Sequence, residues 1–172
     1  MNILIIRTSS LGDVVMTTPI IDFLKETIPG CKISYLVEEE YANILDNNPS
    51  LDKVIILKWK KNCKHPVKLI KEILRINRII RNEKIDIGFD FQGLLRSVIF
   101  LYFSKAKQKF GRGRWLFLNK TVPHRKKLAK HNIEQNYEIT SLAGYKPDKK
   151  YNQNIEGCIK DIDIDKISGQ QI

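Results

Sequence analysis

Residues 7–19, RTSSLGDVVMTTP, place two hydroxyls, a glycine and a carboxylate directly after a short apolar run. Ser9, Ser10 and Gly12 are small enough to bring backbone N–H groups close to a polar ligand. A helix following them would add the positive end of its dipole. Asp13 has two readings. It can cap that helix, with Gly12 easing the turn. It can also take a proton from an alcohol as a general base. Pro19 leaves the local structure open. A helix begun at Asp13 carries the proline inside it; a cap at Thr18 puts Pro19 at the favoured first position and leaves Asp13 in a loop. The segment lacks the glycines of GxGxxG and the lysine of a Walker loop, which disfavours a nucleotide-phosphate cradle here.

Two further groups carry chemistry. In DIGFDFQGLLRS (86–97), Asp90, Gln92 and Gly93 follow an apolar run. They form either a plain strand–turn–helix junction capped by Asp90, or a polar edge on which Gln92 orients a ligand. KWKKNCK (58–64) supplies Lys60, Lys61 and Lys64, and GRGRW (111–115) supplies Arg112 and Arg114. Lysine is a point charge and arginine a planar fork, and both suit phosphate and carboxylate. Trp59 and Trp115 read as packing residues that can also sit at a lipid–water boundary. His65, His124 and His131 are isolated, and Cys31, Cys63 and Cys158 form no CxxC pair. No metal, disulfide framework or cofactor is expected.

The charge is strongly positive: 30 Lys and Arg against 19 Asp and Glu, a net +11 over 172 residues. It is concentrated, since residues 91–133 contain no acid at all. Such a surface attracts phosphates, whether of nucleic acid, anionic lipid or a phosphorylated sugar, or else consists of solvated helix faces. Nucleic-acid binding is the reading from a different class, as is docking on membranes, but no helix-turn-helix, RRM or zinc-finger pattern is present.

These groups need a scaffold. Apolar runs at 2–6, 32–37, 53–57, 85–89 and 107–110 read as strands. Helical patterns lie at 19–28, 38–46, 67–81, 93–103 and 129–142. In the third of these, Val67, Ile70, Ile73, Leu74, Ile76 and Ile80 share one face, and the fourth is apolar nearly all round, hence expected to be buried. Alternating strands and helices predict an α/β fold, a three-layer open parallel sheet with helices on both faces. Ligands then bind beyond the carboxyl ends of the strands, where all three groups should open. No apolar stretch reaches bilayer-spanning length, and residues 1–10 read as a first strand rather than a secretion signal. Residues 148–172 are polar, with DIDID at 161–165, and read as a linker or the start of something further.

At these residues the chain resembles glycosyltransferase family 9, and within it the type I lipopolysaccharide heptosyltransferases. The matching segments are 7–19, 28–44, the basic stretch after Val54–Leu57, 85–97 and 126–145, in family order over residues 1–147. SSLGD with its downstream proline, paired with DFQGLLRS, is the specific part.

The resemblance implies a Rossmann-like domain, the N-terminal, acceptor-side half of a GT-B glycosyltransferase. It implies heptose transfer with inversion from ADP-heptose to the Kdo sugars of lipid A, without metal. Asp13 is then the base on the acceptor hydroxyl. Ser9, Ser10, Gly12, Lys60, Lys61, Lys64 and Gln92 are candidate acceptor contacts, as are, through a looser match, Arg112 and Arg114. The donor would be held by a second domain, so residues 1–172 alone are expected to be inactive. A cytoplasmic location is expected, peripheral to an anionic inner membrane, with no nucleic-acid partner. Types II and III of the same family are the near alternative.

Overall fold

The computed structural model describes residues 1–113, 118–122 and 132–147. Six parallel strands form one sheet in the order β3-β2-β1-β4-β5-β6. They are β1 (Asn2–Ile6), β2 (Lys32–Glu38), β3 (Lys53–Leu57), β4 (Ile87–Asp90), β5 (Gln108–Arg112) and β6 (Lys120–Val122). This is the doubly wound arrangement, in which the chain moves one way from β1 to β3 and then returns to the other side of β1. The direction reverses between β1 and β4. In sheets of this kind, ligands bind in the crevice beyond the carboxyl ends of the strands at such a reversal.

The apolar alternation of β1 explains the layering. Ile3 and Ile5 point into one core with Phe23, Leu24, Tyr35, Phe89 and Tyr137. Leu4 and Ile6 point into the other with Ile76, Ile80, Phe100 and Leu101. All four β1 side chains have no solvent exposure, as expected of a strand covered on both faces. The first layer is closed by α1 (Leu11–Val15), α2 (Thr18–Thr27), a 3-10 helix (Glu39–Leu45) and α6 (Asn132–Leu142). The second is closed by α4 (Pro66–Asn82) and α5 (Leu95–Phe103), with α3 (Trp59–Asn62) short and at the edge.

Several expectations shift. β4 starts two residues later than the apolar run, because pairing with β1 sets its limits: Ile3 sits beside Ile87 and Ile6 beside Asp90. β6 was not expected; it exists through its pairing with β5, Phe110 against Lys120 to Arg112 against Val122. The helix expected at 38–46 is a 3-10 helix. In α4, the apolar face divides: Ile76 and Ile80 are buried while Val67, Ile70 and Leu74 are exposed, and the inward surface also takes Glu72 and Asn77. The apolar positions span too wide an arc for one sheet to cover. Similarly, α5 buries Val98, Phe100 and Leu101 but exposes Leu95 and Tyr102. His124, Trp115, His131, Cys158 and the whole of 148–172 lie outside the described residues. No helix among the described residues is long and apolar enough to cross a membrane.

Gly88 in β4 is where α5 lies closest to the sheet. A Cβ there would fall 2.1 Å from Leu101 Cδ1, in a side chain with no solvent exposure and little room to move. Gly88→Ala is expected to lower unfolding stability by about 1–3 kcal/mol, read as the midpoint shift of urea denaturation.

Candidate functional site

β1 ends in a buried arginine. The Arg7 guanidinium forms an ion pair with Asp13 Oδ2 and donates to the backbone carbonyl of Phe91, just past β4. One side chain therefore ties both walls of the crevice together. Asp13 lies within α1, whose N-cap is Ser10. The Ser10 hydroxyl and backbone N–H both donate to Asp13 Oδ2, at 3.2 and 3.4 Å, in the manner of a capping box. This resolves the question that Pro19 left open. α1 starts before Asp13 and breaks after five residues, and Pro19 falls in the first turn of a separate α2. Asp13 is thus a helix-start residue that keeps about a quarter of its side chain exposed (25%).

Asp90 shares the crevice but not its opening. It is fully buried and accepts the backbone N–H groups of Gln92 (3.0 Å) and Gly93 (3.2 Å) and the Ser97 hydroxyl (3.1 Å). Burial raises its pKa to about 6, against the lowering effect of those donors and of Arg7. Of the two carboxylates, Asp13 keeps contact with solvent and Asp90 has none. Asp90 fixes the β4–α5 turn in which Gly93 adopts φ +72°, a conformation that favours glycine.

Gln92 serves the loop. Its Oε1 accepts the N–H groups of Thr8 (3.1 Å) and Ser9 (3.2 Å), and its Nε2 donates to Ser9 Oγ (3.4 Å). The Ser9 amide, expected to face a ligand, is therefore already engaged within the protein. Ser9 Oγ also accepts Arg96 Nη2 at 3.0 Å. Gly12 is exposed, and a Cβ there would meet nothing within 4 Å.

Arg96 reaches a second wall. It forms an ion pair at 3.0 Å with Glu38, buried at the end of β2, and its guanidinium lies 5.3 Å from the Trp59 ring centroid. Burial pushes the Glu38 pKa up, opposed by Arg96. The basic stretch after β3 is partly neutralised. Lys60 pairs with Glu40 and Lys58 with Glu39 at 3.5 Å, while Lys61 and Lys64 are exposed. Glu38, Glu39 and Glu40 line a cavity of 90 Å³ with Trp59, Lys60 and Lys61.

Arg112, at the end of β5, is buried and donates to Asn136 of α6 at 3.4 Å. Burial and the neighbouring Arg7 charge lower its pKa. Asn136 in turn donates to the Met16 carbonyl at 3.3 Å, so Arg112 supports the site from behind. Arg114 lies outside the described residues. The capping reading of Asp90 was among the sequence alternatives, whereas the anchoring roles of Arg7, Glu38 and Arg96 were not singled out from sequence. The available signal was an arginine at a buried strand end, six residues before an aspartate.

No family model matches the chain. Over 100 residues it is 35% identical to lipopolysaccharide heptosyltransferase 1 of Pseudomonas aeruginosa, covering 56% of this chain and 28% of that protein. Over 101 residues it is 35% identical to the Escherichia coli protein of the same name, covering 56% and 31%. Its fold superposes on E. coli heptosyltransferase WaaC with ADP-2-deoxy-2-fluoro heptose at a TM-score of 0.72 and 27% identity, covering 87% of this chain and 50% of that one. The chain is homologous to the lipopolysaccharide heptosyltransferases. It aligns with less than a third of these curated relatives' length and superposes on half of the solved heptosyltransferase. The sheet order and flanking helices are those of one Rossmann-like unit of the GT-B fold. A heptosyltransferase 3 of E. coli is 27% identical over 138 residues, 77% of this chain and 40% of that protein.

Asp90 supplies a titration test. Its folded pKa of about 6 exceeds the usual 3.8, so the folded state holds this proton more tightly than the unfolded chain. Its contribution to stability is fully present below about pH 4 and is lost as pH rises towards and past 6. Asp90→Asn removes the titration. The stability of the variant relative to the natural protein should therefore improve by about 2 kcal/mol between pH 4 and pH 7. Denaturant melts at both pH values measure this difference, and a constant offset would mean that Asp90 does not titrate in this range.

Proposed function

We propose that this chain is the acceptor-side part of an inverting heptosyltransferase that acts on the lipopolysaccharide inner core, with residues 1–147 as its folded domain and 148–172 leading towards a nucleotide-sugar half. The observation that supports this reading is the pair of carboxylates at the β1–β4 reversal, of which one is sealed and the other, Asp13, is open.

In the proposed reaction an acceptor hydroxyl lies against Asp13. The hydroxyl oxygen attacks the anomeric carbon of the donor heptose, the bond to the ADP phosphate oxygen breaks from the opposite face, and the hydroxyl proton passes to the Asp13 carboxylate. Arg7 and Ser10 hold that carboxylate in one orientation, which lowers the entropic cost of aligning it with the hydroxyl. ADP-heptose would be held by a second domain. The acceptor is a Kdo-bearing lipid A, whose carboxylates and phosphates suit the exposed Lys61 and Lys64 and the partly neutralised Lys60. Ser9, Gly12, Gln92, Arg112 and Arg114 complete the candidate set. Ser9 and Gln92 shape the loop, and Arg112 supports it. Such an acceptor places the enzyme at the cytoplasmic face of an anionic membrane, as a peripheral protein. The alignment with heptosyltransferase 3, longer but at 27% identity, supports a second reading within the same chemistry, a heptosyltransferase of type II or III.

Calorimetric titration with a Kdo-containing lipid A tests the acceptor assignment in this chain. Binding is expected, and Lys61→Gln with Lys64→Gln should weaken it by about tenfold. Absence of binding, or binding unaffected by these substitutions, would overturn it. In a polypeptide carrying both halves, Asp13→Asn should lower turnover about 10²–10⁴-fold while leaving acceptor affinity within about threefold. Retained turnover would remove Asp13 from the role of base.

A further inference from the structure

The outward face of α4 does not follow from heptose transfer. Val67, Ile70 and Leu74 are 64%, 57% and 62% exposed, on a helix whose inward surface is already supplied by Ile76, Ile80, Glu72 and Asn77. Spacings of three and four residues put Val67, Lys71, Leu74 and Arg78 along one line, with Ile70 beside it. Lys64, Lys68, Lys71 and Arg78 are all exposed. Glu72, the sole acid of the helix, is turned inward, where it accepts the Lys58 N–H at 2.8 Å and pairs with Arg75 at 2.6 Å. Folding therefore removes the one negative group from this helix surface and leaves apolar and cationic side chains interleaved. α5, packed beside α4, adds exposed Leu95 and Tyr102.

Three exposed branched residues on one helix face are costly in water. A solvated charged helix needs none of them, and an apolar protein interface is poor in lysine. Apolar side chains ringed by cations suit the boundary of a bilayer with anionic headgroups, where the aliphatic groups enter the acyl region and the lysines meet phosphate. We propose that the Val67–Ile70–Leu74 face of α4, with Lys64, Lys68, Lys71 and Arg78, is the surface by which this protein docks on an anionic lipid bilayer. The proposal refines the peripheral membrane contact inferred above, and its grounds are the exposure and charge of α4 alone. α4 follows α3 directly, so a bilayer against its first half lies next to the lysines expected to meet a lipid-borne acceptor.

The test is co-sedimentation of the whole chain with vesicles of phosphatidylethanolamine and phosphatidylglycerol, and with vesicles of phosphatidylcholine, in the absence of any sugar ligand. The protein is expected to bind the former and to bind the latter weakly. Ile70→Ser with Leu74→Ser should weaken binding roughly tenfold or more. Lys68→Gln with Lys71→Gln should weaken it about fivefold per lysine, and added salt should do the same. All four positions are exposed, so thermal melts should match the natural protein. Three results would overturn the proposal: unchanged binding by the serine variant, which means adsorption by charge alone; equal binding to both vesicle types; or a dimer in sedimentation velocity that the serine variant dissociates, which assigns the face to a second copy. Because no sugar is present, failure here leaves the acceptor titration untouched, and failure of that titration leaves vesicle binding untouched.

Discussion

The buried guanidinium of Arg7 sets the terms for the edge of the sheet where the chemistry lies. A cation taken out of water needs compensation, and removing its partner typically costs about 3–5 kcal/mol. Arg7 obtains it from the Asp13 carboxylate, part of the first helix, and from the Phe91 carbonyl, past the fourth strand. Those partners lie on opposite sides of the reversal between β1 and β4. The positions of α1 and of the β4–α5 turn are thereby coupled through one side chain, and Asp13 is held at the mouth of the crevice.

Around this link the loops are fastened to one another before any ligand arrives. Gln92 closes the Thr8 and Ser9 amides, Asp90 closes the Gln92 and Gly93 amides, and Arg96 connects Ser9 to Glu38. Hydrogen-bonded polar networks hold such loops in one arrangement, here with Arg7 Nε and Arg96 Nε left without a hydrogen-bond partner. The result is division of labour between similar groups. Asp90 is sealed and structural and Asp13 is open. Arg112 is turned inward to α6, while Lys61 and Lys64 stand in solvent. Environment, and not residue type, separates them.

Much of this was legible in the residues. The apolar runs located five strands, and their alternation with helices gave a parallel sheet. The motifs 7–19 and 85–97 were placed at one edge of the sheet, because ligands in such sheets bind beyond the strand ends; that this edge is the strand reversal follows from the sheet order. The misses share a cause. β6, of three residues, is defined by its partner strand and has little pattern of its own. The 3-10 geometry at Glu39–Leu45 differs from an α-helix by details that periodicity does not resolve.

The sequence by itself determined the sheet class, the order of its elements, the basic charge and the segments that carry chemistry, since these depend on local pattern and composition. Tertiary structure alone decided which carboxylate stays open, that Gln92 binds the loop opposite, that Glu40 neutralises Lys60, and that Val67, Ile70 and Leu74 face outward. Each of these depends on contacts between distant parts of the chain, 83 residues apart for Gln92 and Ser9, or on which arc of a helix the sheet covers. Periodicity shows which side chains share a face of a helix. Only packing determines which of those faces meets water.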